Sequence, residues 1–418
     1  MLFRWLLFAA FIFFLNWYSS QAIKTTFKNP WFLYGYYIIN FLVLLNFIIQ
    51  ITKISGRDSM TAYFSYSLGL FLVIIVFQIL VILFIVFEDL FRIPQWIYHI
   101  FSKGIKNSFI FMPSRREFIS QMAILIASIP AGALFIGMLR GKYSYRVINH
   151  ELSFKNLPKD FDGFKIAHIS DFHCGSFDNE EKIKYGIEMI NQQNPDIILF
   201  TGDMVNNKSS EILPWKKIIS SLNAPFGKFA VLGNHDYGDY VGWDSDEDKI
   251  NNLKQLIDLE NQMGFNVLLN QSISIQKNSS SISLIGVENW GSGGFKKKGN
   301  LDSALESNEL NDFKILMSHD PTHWQEKVID HQQHIDLTLS GHTHGMQFGI
   351  EIPGWIKWSP IQYRYKYWAG IYKEMDQFIN VNRGFGFLAY PGRVGIYPEI
   401  SIIDLKREEA DKSKDERS

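Results

Sequence analysis

The chain has 418 residues, a formal net charge of −1 at neutral pH and 47% hydrophobic residues. That length exceeds one ordinary domain, and the balanced charge argues against a nucleic-acid binder, which would carry a basic surplus. The single cysteine, Cys174, excludes an internal disulfide and says nothing of the redox compartment; beside His173 it reads as a small buried neighbour. The average hides unlike parts. Residues 1–145 are dominated by Phe, Leu and Ile, residues 150–405 have ordinary globular composition, and residues 406–418 form a charged tail expected to be disordered.

Four apolar runs, 6–15, 31–51, 64–87 and 122–139, read as membrane-crossing helices, since a hydrocarbon core of about 30 Å needs roughly 20 residues. The first run is the shortest and resembles an uncleaved signal anchor behind Arg4. The loop between the third and fourth runs holds Arg92, Lys103, Lys106, Arg115 and Arg116, against Lys53 and Arg57 in the preceding loop. Cytoplasmic loops collect Lys and Arg, so the third loop is expected inside and everything after the fourth helix outside, although Arg140, Lys142 and Arg146 pull the other way. Ser114-Arg115-Arg116-Glu117-Phe118-Ile119 also resembles a twin-arginine export signal set internally, which gives the same topology. The expected location is therefore a cell membrane, multi-pass, with the folded part extracytoplasmic.

From Phe154 onward the pattern alternates strand with amphipathic helix, predicting an α/β domain. Helices are expected over 180–193, with Ile183, Ile187 and Ile190 on one face, and over 250–263, with Ile250, Leu253, Ile257 and Met263. Residues 267–286 read as a hairpin. Five short apolar runs break off into ligand-type residues. Lys165 to Ile169 leads to Asp171 and His173; Ile197 to Thr201 leads to Gly202 and Asp203. Phe229 to Leu232 leads to Gly233-Asn234-His235-Asp236, Ile315 to Met317 to His319-Asp320, and Leu337 to Ser340 to Gly341-His342-Thr343-His344. Ligands of α/β sheets bind at the carboxyl ends of strands, so these ends are expected to meet in one crevice. Asp171, His173, Asp203, Asn234, His319, His342 and His344 are too many for one ion and suit two divalent ions sharing a carboxylate.

Together these blocks resemble the signature of the calcineurin-like metallophosphoesterases. Asn382-Arg383-Gly384 and Gly395-Ile396-Tyr397-Pro398-Glu399-Ile400 resemble the end of its membrane-associated branch. The resemblance implies a four-layer α-β-β-α sandwich over 150–405. It implies Asp171, His173 and His344 on one metal, Asn234, His319 and His342 on the other, and Asp203 bridging both; manganese, iron and zinc all suit such donors. It further implies a metal-bridging hydroxide attacking phosphorus, with His235 as the general acid and Asp236 orienting its ring.

The activity expected is phosphoric monoester or diester hydrolysis, with lipid and nucleotide-linked lipid phosphoesters among the candidate substrates. Two other classes compete: a metal-binding scaffold without catalysis, which would be expected to lack ligands, and a nuclease, which would need a basic groove that only Lys296-Lys297-Lys298 hints at. Residues 354–370 interleave Trp355, Trp358, Tyr363, Tyr365, Tyr367 and Trp368 with Lys357, Arg364 and Lys366, which suits either a core strand or a lipid headgroup interface. His99, His150, His168, His323, His331 and His334 receive no role, the last three being expected in solvent.

Overall fold

A computed structural model describes residues 2–53, 60–101, 113–306, 310–352 and 354–408. Two compact units divide the chain, one ending at Leu139 and the other running on from Arg140. The first holds α1 (Leu2–Thr26), α2 (Pro30–Lys53), α3 (Ala62–Phe101) and α4 (Pro113–Leu139). All four are long and apolar enough to cross a membrane, and the span in α1, Phe3–Thr26, is much longer than the run at 6–15.

Polar residues that interrupt the sequence pattern explain the difference, because they are satisfied inside the bundle rather than by water. Gln78 on α3 is fully buried, its Nε2 within hydrogen-bond reach of Asn16 on α1 at 3.1 Å and of Asn40 and Tyr36 on α2 at 2.6 and 2.9 Å. Hydrogen bonds of this kind hold helices together where no solvent competes. Arg92, expected in a loop, lies within α3 and pairs with Glu88 one turn back at 2.6 Å. Arg57, Lys103 and Lys106 lie outside the described residues.

The second unit contains two six-stranded mixed sheets. In the first, Arg146–Phe154 is parallel to Glu399–Arg407, which runs antiparallel to Lys165–Ile169; Ile197–Phe200, Lys228–Ala230 and Phe265–Val267 follow in parallel. In the second, the order is Gly370–Glu374, Gln377–Val381, Leu337–Ser340, Lys314–Met317, Ser280–Gly286 and Gln271–Lys277, and the last two form the hairpin expected over 267–286. Ile166, Leu199 and Phe229 from one sheet meet Leu284, Ile315 and Leu339 from the other in an apolar layer. Helices cover both outer faces, so the four-layer sandwich is what the chain adopts.

The helix Glu180–Asn191 starts at an Asn179 cap that accepts from Lys182 N, and Ile183, Ile187 and Ile190 are buried beneath it. The next long helix begins earlier than its apolar spacing suggested, at Asp246 behind a Ser245 cap, and ends at Gln262. Its buried face is Asn252, Leu256 and Leu259, leaving Ile250 54% exposed: the sheet selects a face offset from the predicted one. Glu399–Arg407 carries Lys406 and Arg407 into a central strand, so the charged tail starts later than 406, and residues 409–418 lie outside the described residues.

Candidate metal centre

Five strand ends deliver the ligand-type residues to one place. Lys165–Ile169, Ile197–Phe200 and Lys228–Ala230 of the first sheet lead to Asp171, His173, Asp203 and Asn234; Lys314–Met317 and Leu337–Ser340 of the second lead to His319, His342 and His344. Small residues permit the meeting. A Cβ on Gly202 would stand 2.4 Å from Gly233 N, and one on Gly341 would stand 1.8 Å from Ser170 Oγ.

Asp171, His173 and His344 form one cluster of donor atoms, and Asp203, His319 and His342 a second. In the first, His344 Nε2 is 3.2 Å from Asp171 Oδ1 and 3.0 Å from His173 Nε2. In the second, His319 Nε2 is 3.1 Å from Asp203 Oδ2 and 3.2 Å from both Asn234 Oδ1 and His342 Nδ1. Asp203 Oδ2 also stands 3.7 Å from His173 Nε2, which puts this carboxylate between the two groups.

The arrangement fits divalent cations on three counts. Imidazole nitrogens point at one another in both clusters, His173 Nε2 at His344 Nε2 and His342 Nδ1 at His319 Nε2, so the donor atoms of each converge on a common point. Five of the seven residues, Asp171, His173, Asp203, His342 and His344, hold φ between 50° and 72°. Left-handed backbone at residues other than glycine costs of order 1–3 kcal/mol each and clusters where function requires it. The site also draws positive charge: burial disfavours a charged His319, yet the carboxylates of Asp203 and Asp171 outweigh it and raise the imidazole to about 10. Burial, with neighbouring imidazoles adding to it, pushes His173 and His342 down despite the nearby carboxylates, toward the neutral form that ligates.

Surrounding groups fix which atoms face inward. His319 Nδ1 lies 2.7 Å from the Thr201 carbonyl, so it carries the proton and Nε2 is the free donor. Asn234 Nδ2 donates to Tyr240 Oη at 2.8 Å, which turns Oδ1 toward His319 and His342. His342 Nε2 meets Tyr365 Oη at 2.8 Å and Asp320 at 3.4 Å. Arg393, almost wholly buried, sends Nη2 to within 3.1 Å of His344 Nδ1. Sequence reading missed all three: Tyr365 and Arg393 come from loops remote from their partners, and Tyr240, only six residues beyond Asn234, carries no mark in the local pattern that its hydroxyl turns back to the amide. The one signal among them is Tyr365 in the aromatic run, which by pattern suits a core strand or a membrane interface.

His235 is partly buried beside the first cluster, its ring 4.9 Å from that of His173 and 4.4 Å from that of Tyr240. Its Nδ1 lies 2.8 Å from the Asn206 carbonyl, so that carbonyl orients the ring. The expectation that Asp236 does this is corrected. The Asp236 carboxylate instead accepts backbone N–H groups from Asp203 at 2.9 Å, Met204 at 2.9 Å, Val205 at 3.3 Å and Gly233 at 2.8 Å, clamping the two ligand loops together. His323 is a second correction: it is buried, with Nδ1 2.8 Å from Ser318 Oγ, whereas His334 is exposed and His331 meets Asp302. Tyr365, Tyr367 and Trp368 are buried, while Trp355 and Tyr363 are open to solvent.

Residues 3–142 match the model for the probable calcineurin-like phosphoesterase transmembrane domain, and residues 164–346 match the calcineurin-like phosphoesterase model. An uncharacterized metallophosphoesterase of Bacillus subtilis, YkuE, is 32% identical over 311 residues, which is 70% of this chain and 98% of that protein. Phosphodiesterase YaeI of Escherichia coli is 28% identical over 70% of this chain and all of its own length. A zebrafish (Danio rerio) transmembrane protein with a metallophosphoesterase domain is 24% identical over 69% of this chain and 63% of its own. The match to the Bacillus protein runs almost from end to end of it, and on that ground this chain belongs to the calcineurin-like metallophosphoesterases, with four apolar membrane-type helices ahead of the family's α/β domain.

Proposed function

We propose that the protein hydrolyses a phosphoric ester, monoester or diester, at a two-metal centre on the extracytoplasmic face of a cell membrane. The observation that carries this reading is the pair of buried Asp/His clusters with the Asp203 carboxylate between them. Asp171, His173 and His344 would hold one ion and Asn234, His319 and His342 the other, with Asp203 shared between them; manganese, iron and zinc are the candidates. When bound, such ions supply Lewis acidity toward phosphoryl oxygens and activate water at neutral pH. His235 holds a proton at Nε2 for the leaving oxygen, its Nδ1–H anchored on Asn206. Tyr240 and Tyr365 hold Asn234 and His342 in the rotamers the ions need.

The topology rests on Arg115 and Arg116 in the first turn of α4, together with Arg92 near the end of α3. Cations on both sides are engaged, Arg92 with Glu88 and Arg116 with Asp89 as Lys142 is with Asp178, so the number of Lys and Arg in the loop ahead of α4 carries the orientation.

The test uses the purified full-length chain in detergent, with metal content measured beside turnover of an aryl phosphate monoester, the matching diester and a nucleotide-linked lipid. Metal near two equivalents with ester turnover is the expected result. Bound metal without turnover on any ester would support the scaffold instead, and cleavage of DNA or RNA alone would support a nuclease.

A further inference from the structure

Directly after the His342–His344 turn, strands Ile350–Ile352 and Ile356–Trp358 form a separate two-stranded hairpin. Opposite residues of an antiparallel pair share a face. Ile350 faces Trp358 and Ile352 faces Ile356 on one side, while Glu351 faces Lys357 on the other. The charged side makes contacts to the rest of the domain, although Lys357 itself stays exposed. Glu351 pairs with buried Arg383 at 2.5 Å, and Lys357 donates to the Ala369 carbonyl while lying 5.1 and 5.0 Å over the Trp368 and Tyr372 rings. On the apolar side Ile350 is 50% and Ile352 42% exposed while Ile356 and Trp358 are half-buried, and Trp355 near the tip is 76% exposed. The first strand and the tip thus leave large apolar side chains in the open.

We infer that this hairpin seats its apolar face in the headgroup region of the bilayer that the four helices span, so that the phosphoester reaching the metals belongs to a lipid. Three observations choose a bilayer as the occupant. Chain connectivity is the first: the folded unit starts at Arg140, directly after α4 ends at Leu139. Gly141 backs so closely on Arg393 that a Cβ would stand 2.0 Å from its carbonyl oxygen, and the next residue, Val394, accepts from Gly349 N at 2.9 Å. The hairpin therefore springs from the same edge of the domain that receives the membrane tether.

Composition is the second. Exposed Trp355 and Tyr363 with the neighbouring exposed cations Arg364 and Lys366 form the aromatic and basic mixture that lipid interfaces select, rings at the boundary and cations toward phosphate. Placement is the third. Ser359 at the hairpin base donates to the Gly345 carbonyl at 2.8 Å, bracing it on the metal-site turn. Arg364 lies 5.3 Å over Phe295 and 5.4 Å over Tyr365, two rings that both pack on His342. A cation thus stands one ring away from His342, where it could meet a lipid phosphate.

The docking half of this inference is independent of the phosphoesterase reading; the substrate-class half rests on it. In nanodiscs holding anionic phospholipid, a nitroxide on the full chain at Trp355→Cys is compared with one at Ile250→Cys; the native Cys174 is buried and escapes labelling. Collision with oxygen relative to a water-soluble nickel chelate is expected to be several-fold higher at 355 than at 250. Equal ratios overturn the docking, and a label shielded from both reagents overturns it in favour of a protein partner. For the substrate class, the triple variant Ile350→Ser/Ile352→Ser/Trp355→Ser is assayed on a soluble aryl phosphate and on a phospholipid phosphoester in the nanodisc. A several-fold loss confined to the lipid is expected, and a parallel loss or none overturns it. A wild-type chain inactive on every ester sinks the substrate class along with the enzyme reading, while the nitroxide still decides the docking.

Discussion

Tyr240→Phe removes one hydroxyl and keeps the ring that packs 4.4 Å from His235. That hydroxyl is the acceptor for Asn234 Nδ2 at 2.8 Å, and the bond is what keeps Oδ1 facing His319 and His342 at 3.2 and 2.8 Å. Without it the amide can turn over and present its N–H₂ to two imidazole nitrogens, a geometry that repels a cation. A neutral hydrogen bond contributes about 1 kcal/mol, which is roughly fivefold in the population of the binding rotamer. Loss of a group that orients a metal ligand typically costs about 10- to 100-fold in metal affinity or activity, so an effect near the lower end, about tenfold, is expected. Activity is read against metal concentration. The expected outcome is a half-activation concentration about tenfold higher with the maximal rate restored at saturating metal. An unchanged metal dependence would refute the reasoning, and a rate that excess metal cannot restore would mean the hydroxyl acts through His235 instead.

His235→Ala is expected to keep its metal and lose about 10²- to 10⁴-fold in turnover, whereas Asp203→Ala is expected to lose metal from both positions and melt lower; metal analysis and thermal melting of the two variants separate these outcomes. Asp236→Ala leaves four backbone N–H groups of the ligand loops without their acceptor and is expected to destabilise the chain by at least about 3 kcal/mol; full stability with reduced turnover would restore a ring-orienting role. Burial holds the His323 imidazole down at about 4 against 6.5 for a free one. Between those values only the unfolded chain takes up the proton, so acidification from pH 6.5 to 4 removes on the order of 3 kcal/mol that is present in full above pH 6.5. His323→Gln should therefore flatten the fall in melting temperature across that window, and an unchanged slope would refute it.

Much of the architecture was legible in the order of residues. Ligand-type residues stand immediately after apolar strands, and helices such as Glu180–Asn191 carry both cap and buried face in local sequence. Metal donors are local in this sense: an imidazole or carboxylate is recognisable by type, and a strand end by its run. Facing decisions are different, because they depend on what a distant segment brings. Ile250 and Leu256 are equally apolar, and the sheet buried Leu256. Asp236 sits next to His235 in the chain, yet its carboxylate turns to the backbone of 203–205 and leaves the ring to Asn206.

By itself, then, the sequence determined the chemistry of the donors and the strand ends that carry them, since both follow from side-chain type and short-range hydrophobic pattern. Only the tertiary structure decided which end of the Asn234 amide faces inward, which tyrosines meet Asn234 and His342, and that a hairpin leaves Ile350 and Ile352 exposed while Glu351 pairs inward. Those outcomes depend on hydrogen bonds and burial between residues far apart in the chain, as with Asn234 and His342 or Glu351 and Arg383, and no local pattern encodes which partner the fold will supply.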